Sequence, residues 1–539
     1  MRNAEPEQAN TSSTRNFFPL TALVATIALS IRWTIASGDP LWLDELHTSW
    51  TVSDGLFDVG GRAIDGNQNP LFFWMTWGTV QVLGSSELAL RLISVLSGTT
   101  LVGGASWFTW RSSKSLTAVL LTSLIITFDW RFVFYGTEAR PYALMQFLGL
   151  VHAGLFASLL SWLPKSESKQ PKTGLSDSSK WSVLTLLSIA LFYCHITCVW
   201  LFAAELLALI FAWGQRKPDF LKPLLLSFFA AIVGCLPGFL NLAQVFARKA
   251  NWSELSSPVG VLTDTKEPLL VWIALPIVLF LLSWLFNRVI SRPETTRGKS
   301  FSQTPLIVLI VLWAVIPIAG VIAAHYLKVA PLASFRYTLI GTPAVAILSG
   351  LLIGQMPNAK LKVVAIVLIA WSSYHNNQVT RQLVDRQTLP VLRHEDWNTA
   401  TDIVRTTTTD QQRYPRPLLL FANVIEDADA MTNLEPRFQN YLRFPAYNIL
   451  SANNFIGRQV FACPTHRSPR LSDELIQNVL GSRGGWLLIR GRDETVQSIV
   501  NEVQQTLSEN LPSGTTKNLQ IEERNDNGDV VHLFSVDLL

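Results

Sequence analysis

The chain has 539 residues, of which 49% are apolar and only 15% charged, with a formal charge of +4 and nineteen tryptophans. A soluble domain carries about 25% charged residues, so this deficit, with a mean hydropathy of +0.28, excludes an ordinary soluble enzyme and points to a lipid-facing protein. No Lys/Arg-rich run suggests nucleic acid, and four cysteines are too few for a disulfide framework.

In chain order, a polar tail (1–16) precedes the first apolar run, so that run is expected to stay as a span rather than leave as a signal peptide. Apolar runs near the length of about 20 residues that a bilayer core requires are predicted at 17–36, 88–110, 114–133, 141–163, 181–194, 196–213, 222–244, 268–288, 305–325, 336–354 and 361–375. The segment 70–83 (PLFFWMTWGTVQVL) is short for a span and reads as an interfacial helix lying on the outer surface. Charge supports that choice. With the N-terminus inside, the inner loops (111–114, 164–180, 214–222, 288–304 and 355–362) and the tail carry about 17 Lys/Arg against about 8 outside, as the positive-inside rule requires. The opposite choice would place 165–180 and 288–299 outside. The stretch 181–213 is expected to break near His195, because an odd number of spans preserves the later charge pattern.

The expected architecture is therefore an α-helical polytopic membrane protein of about 11 transmembrane helices. It would have a cytoplasmic tail (1–16), a membrane domain (17–375) with a first outward loop (37–87), and an extracytoplasmic α/β domain (376–539). In that last part, β-like runs at 418–424, 486–491 and 530–537 alternate with helix-like runs at 395–408, 472–481 and 493–508. The 164–180 loop reads as a flexible linker.

The ionisable residues gather at the outer ends of the expected spans. Asp44 and Glu45 follow the first span within LWLDELHTSW. Partly desolvated carboxylates there suit a general base or a metal ligand, although an acidic pair also simply favours a helix start. Asn69 leads into the interfacial helix. Glu87 and Arg91 stand i,i+4 at the next span, where an ion pair within the helix is one reading and a lipid phosphate on Arg91 another. Asp129, Arg131, Glu138, Arg140 and Tyr142 crowd one short turn, either as a local Glu138–Arg140 network or as functional groups at membrane depth. His195 interrupts an apolar run and reads as a packed, hydrogen-bonded residue; with Cys194 and Cys198 it lacks a fourth ligand for zinc. Arg336 and Tyr337 sit where Arg336 would either snorkel or meet a phosphate. No glycine-rich phosphate loop, His-Glu-x-x-His or Gly-x-Ser-x-Gly occurs, so nucleotide hydrolysis and metalloprotease chemistry have no support.

In order and spacing, LWLDELHTSW, NPLFFWMTWGTVQVLGSSELALRLISVLSG, YGTEARPYAL, YCHIT and SFRYTLIGTPAVAIL resemble the GT-C class of membrane glycosyltransferases, nearest to its protein-mannosyltransferase and aminoarabinose-transferase-like group. The matching pieces cover about residues 20–350; the C-terminal part matches no named module. The resemblance implies a polyprenyl-phosphate-linked sugar donor, since nucleotide sugars are absent outside the cytoplasmic membrane of a bacterium. It implies Asp44 as the base for an inverting displacement, and Arg91, Arg140 or Arg336 as cations for the departing phosphate. Asn69, Tyr142, His195 and Tyr337 would line the substrate site. Glu45 and Glu138 would orient acceptor or sugar, or hold a divalent cation if one is used. The chain lacks the luminal β-trefoil of eukaryotic protein mannosyltransferases, which favours a glycan or lipid acceptor over a protein. Two other classes stay open on the residues alone: a transporter or flippase, and a non-catalytic relative acting as a scaffold.

Overall fold

The computed structural model describes residues 7–163, 177–213, 220–247, 259, 261, 263, 274–290, 304–329, 333–410, 416–424, 436–447, 460–466, 468–482, 484–511, 519–524 and 530–538. Most of the expected 164–180 and 288–304 loops, part of the 214–222 loop and the start of the expected span at 268 lie outside the described residues.

The protein is a helical membrane protein with a small C-terminal α/β part. Helix α1 (Glu7–Gly38) is followed by three short helices, α2 (Leu43–Thr51), α3 (Leu56–Asp65) and α4 (Leu71–Leu83), and then by α5 (Glu87–Ser113). Among the described residues, six helical stretches are long and apolar enough to cross a bilayer, or seven if one bent pair counts as a single span; the stretch 71–83 is among four shorter apolar helices.

The bent pair departs from the single span expected at 114–133. Helix α6 (Leu116–Phe128) turns by 59° into α7 (Trp130–Gly136). Two side chains explain the break. Asp129 accepts from the Arg131 amide, starting a new helix, and buried Arg32 of α1 donates to the Ile126 carbonyl at 2.7 Å, satisfying an end that α6 leaves open. Gly98 and Gly136 make room for that guanidinium: a Cβ on Gly136 would lie 2.7 Å from Arg32 Nε.

Helix α8 (Tyr142–Leu159) packs on α5, and α9 (Asp177–Cys194) packs on α8. The helix does break at His195, which is extended and accepts from the Thr197 amide to start a 3-10 turn (Ile196–Cys198) before α10 (Val199–Ala212). Helices α11 (Leu221–Ala247), α12 (Leu275–Ile290) and α13 (Thr304–Tyr326) lead to a 3-10 segment (Phe335–Gly341) that enters α14 (Thr342–Gly354). Then come α15 (Ala359–Asn376) and α16 (Gln378–Arg386).

In the C-terminal part, α17 (Trp397–Asp410), α18 (Pro436–Leu442), α19 (Asp473–Gly481) and α20 (Asp493–Glu509) accompany strands β1 (Leu418–Phe421), β2 (Val460–Ala462), β3 (Gly484–Arg490), β4 (Leu519–Glu523) and β5 (Val531–Leu538). The sheet order is β2-β1-β3-β5-β4, with β1 parallel to β2 and β3, and β5 antiparallel to β3 and β4. Unbroken apolar runs such as LLLF in β1 are what a strand buried on both faces requires. Leu419, Leu487 and Val536 face α19 and α20, whereas Leu418, Leu420 and Trp486 belong to the same apolar core as Leu43, Leu46 and Trp50 of α2. One face of the sheet thus continues the core that carries the acidic helix.

Candidate functional site

Nine residues make α2 too short to stand alone, so its surroundings set its place. Successive residues on a helix project about 100° apart, which sends the neighbours Asp44 and Glu45 into different environments. Glu45 has no exposed surface. Its Oε1 accepts from Arg91 Nε at 2.7 Å and the Ala139 amide at 2.8 Å; its Oε2 accepts from Arg91 Nη2 at 2.5 Å and lies 3.3 Å from Arg393 Nε. Arg91 spends its other protons on the carbonyls of Ala36, Asp39 and Pro40. The intrahelical Glu87–Arg91 pair considered from the sequence is therefore not the contact that forms; Glu45 offers a desolvated, bidentate partner instead.

Asp44 keeps 25% of its side chain exposed, with Oδ2 at 3.0 Å from Arg336 Nη1 and 3.8 Å from Arg140 Nη2. Burial works to raise its carboxyl, but the guanidinium groups of Arg140 and Arg336 outweigh it and hold the group below the usual carboxylate range. The same contest, between burial and the cations Arg393 and Arg91, also leaves Glu45 lowered.

The turn between α7 and α8 supplies the opposite wall. Arg140 does not pair with Glu138 through its side chain, the local closure considered above; it reaches the Asp44 carbonyl at 3.3 Å and His47 Nδ1 at 3.2 Å. Glu138 is 1% exposed, and its Oε2 has no hydrogen-bond partner among the described residues. Burial, and then the nearby Asp44 charge, push its carboxyl up to about 8.

His47, not singled out from the sequence, lies on α2 one turn after Asp44. Burial and the adjacent Arg140 lower it to about 3, so it is a neutral imidazole whose Nδ1 accepts from Arg140. Gly66 is needed beside it, since a Cβ there would fall 2.0 Å from His47 Nε2.

An aromatic chain leads away from Arg336. Arg336 stacks on Tyr337 at 5.3 Å, Tyr337 meets His195 at 6.1 Å, and His195 meets Tyr142 at 5.4 Å. His195 Nδ1 also lies 2.8 Å from Thr197 Oγ1, the hydrogen-bonded packing role expected for it. Asn69 donates to the Phe192 carbonyl at the end of α9. Asp129 and Arg131 pair with each other at 3.3 Å and line a small pocket with Gln146, Phe335, Thr338 and Thr342.

Sequence reasoning also missed two groups on the opposite side of the cluster. Asp39 pairs with Arg393 at 3.3 Å, and Arg393 comes from the segment before α17, far along the chain. A lone Arg in a polar stretch gives no signal of that role. Among the described residues no group of three or more His, Cys, Asp or Glu is placed to hold a metal ion. The carboxylates Asp39, Asp44 and Glu45 already face guanidinium groups, so this donor set does not fit a divalent cation.

No family model matches the chain, and no curated protein matches it. Among solved structures it is similar to ArnT from Cupriavidus metallidurans in the apo state, with a TM-score of 0.54, 13% identity, and coverage of 95% of this chain and 97% of that one. It is similar to the same protein bound to undecaprenyl phosphate, with a TM-score of 0.52, 10% identity and the same coverage. The oligosaccharyltransferase AglB from Archaeoglobus fulgidus, bound to an inhibitory peptide and a dolichol-phosphate, matches at a TM-score of 0.47 and 11% identity over 97% of this chain and 74% of that one. The chain has the GT-C fold, and it runs through the C-terminal part as well as the helices.

Proposed function

We propose that the protein is a membrane glycosyltransferase that moves a sugar from a polyprenyl-phosphate donor to a glycan, lipid or protein acceptor on the extracytoplasmic face, with inversion. One observation carries the reading. Of the four carboxylates gathered here (Asp39, Asp44, Glu45, Glu138), Asp44 alone is partly open, and it is paired with the half-buried Arg336. The likeness of fold to a structure holding undecaprenyl phosphate supports the donor class.

In this reaction Asp44 takes the acceptor hydroxyl proton while the acceptor oxygen bonds to the anomeric carbon. The bond from that carbon to the phosphate oxygen breaks, and its electron pair leaves with the polyprenyl phosphate. Arg336 and Arg140 stand next to the base and meet the charge that develops on the phosphate. A donor phosphate competes with Asp44 for Arg336. Drawing Arg336 away frees the Asp44 lone pair and raises its proton affinity, so donor binding itself prepares the base. Glu45, paired with Arg91 and Arg393, anchors the helix that carries the base. Glu138, neutral below about pH 8, offers a hydrogen-bond donor to sugar or acceptor.

The test follows release of undecaprenyl phosphate from undecaprenyl-phosphate sugars by mass spectrometry, with the purified protein in nanodiscs. Asp44→Asn is expected to lower release by about 10²–10⁴-fold with membrane insertion unchanged. Release within a few-fold of the wild-type rate removes Asp44 as the base.

A further inference from the structure

Helix α2 starts without a cap of its own: its N-cap residue is Trp42, which offers no side-chain acceptor. The Leu43 amide donates instead to Glu395 Oε2 at 2.9 Å, a residue 352 positions away in sequence. The same carboxylate oxygen accepts from Trp397 Nε1 at 3.0 Å, while Oε1 takes Arg490 Nε at 2.9 Å and Nη2 at 2.7 Å. Arg490 is the last residue of β3. Glu395 therefore joins the first residue of the acidic helix to the central strand of the C-terminal sheet.

Neighbouring contacts hold the same helix. The Leu392 amide donates to Asp39 Oδ2 at 2.9 Å, and Arg393 donates to the Phe134 carbonyl at 3.0 Å while it lies 3.3 Å from Glu45. Toward the other end of α2, Tyr441 and Phe444 pack on Trp50 at 6.0 and 6.5 Å, and on His47 in the middle of the helix at 5.8 and 5.4 Å. Both ends of the helix are thus gripped by the C-terminal part.

We propose that the Arg490–Glu395–Leu43 linkage is a latch through which the C-terminal domain sets the position of Asp44, with Glu395 as a positioning residue. The proposal rests on the glycosyltransferase reading for its effect on rate, but not for its effect on α2. A buried amide in the first turn needs an acceptor, and Glu395 is its acceptor. Without it the turn carrying Asp44 loosens, and a displacement near 1 Å of a catalytic group costs about 10²-fold in rate.

The experiment compares wild type, Glu395→Gln and Glu395→Ala as full chains in nanodiscs, by hydrogen–deuterium exchange and by donor turnover. Glu395→Ala is expected to speed amide exchange across 43–51 while leaving α5 and α8 unchanged, and to lower kcat by about 10–10²-fold with KM for the donor within about two-fold. Glu395→Gln keeps an acceptor for Leu43 and is expected to recover most of the protection and of kcat. Arg490→Gln, which removes the strand side of the latch, gives the same readings if Glu395→Ala does not insert. Unchanged exchange across 43–51 in the variants overturns the latch. Faster exchange with no turnover even by the wild type sustains the latch and removes the glycosyltransferase reading.

Discussion

Two of the buried groups of ionisable residues among those described are built differently. In the helical bundle, His152 of α8 sits 2.9 Å from Glu205 of α10 through Nδ1 and 2.8 Å from Ser188 of α9 through Nε2. Each side chain there meets its partner, neither His152 nor Glu205 is more than 6% exposed, and none of the three lines the pocket at Phe335. At α2, by contrast, charges are matched but not sealed: Asp44 and Arg336 keep 25% and 30% of their side chains open, and Glu138 Oε2 is left unsatisfied among the described residues. An ionisable group in a membrane protein is a functional candidate by default. The comparison narrows that rule, because a fully satisfied trio pins three helices, whereas a matched but open pair is ready to exchange partners with a ligand.

The contrast breaks most visibly at Arg91. Arg91→Met leaves Glu45 buried with Arg393 as its main cation, and losing one partner of such a pair costs about 3–5 kcal/mol. Thermal unfolding in detergent should show that loss together with loss of turnover; a stable Arg91→Met protein would mean that Glu45 is not locked by Arg91. A smaller effect is expected in the sealed cluster. Glu205→Gln keeps a hydrogen bond to His152, so stability should fall by about 1 kcal/mol and turnover should stay within about two-fold. Turnover abolished in a protein of unchanged stability would make the deep trio functional and dissolve the distinction.

The smallest and most local effect concerns pH. Glu138 is raised to about 8 from an ordinary 4.5, so in that window the folded state holds a proton that the unfolded chain has released. Stability contributed by this group therefore falls as pH rises from about 4.5 to beyond 8. Glu138→Gln should flatten the alkaline side of the melting-temperature profile, and an identical profile would show that Glu138 is ionised in the fold.

Much of the helical architecture was legible because apolar length and loop charge are local or summed properties. The break at His195 followed from the span count that keeps the loop-charge pattern, and the strands at β1, β3 and β5 from short β-like runs. The bend at Asp129 was missed. It depends on Arg32, nearly 100 positions earlier, supplying a donor to the open end of α6, and no window of sequence contains both. Arg91 was read against Glu87 for the same reason: helical spacing proposes the neighbour, but the desolvated pocket under α2 offers a stronger partner in Glu45.

For Asp44 and Glu45 themselves, the sequence alone placed an acidic pair just after the first apolar segment, as a helix start or as a base or metal ligand. The resemblance favoured Asp44 as the base but left the rank between the two open. Only the tertiary structure separated them, because a rotation of about 100° between successive helical residues turns Glu45 into a closed shell formed by Arg91, Arg393 and the Ala139 amide, and leaves Asp44 beside Arg336 with part of its surface open. Those partners come from α5, the 3-10 segment before α14, the turn before α8 and the segment before α17. A carboxylate's environment is set by groups that only folding brings within a few ångströms.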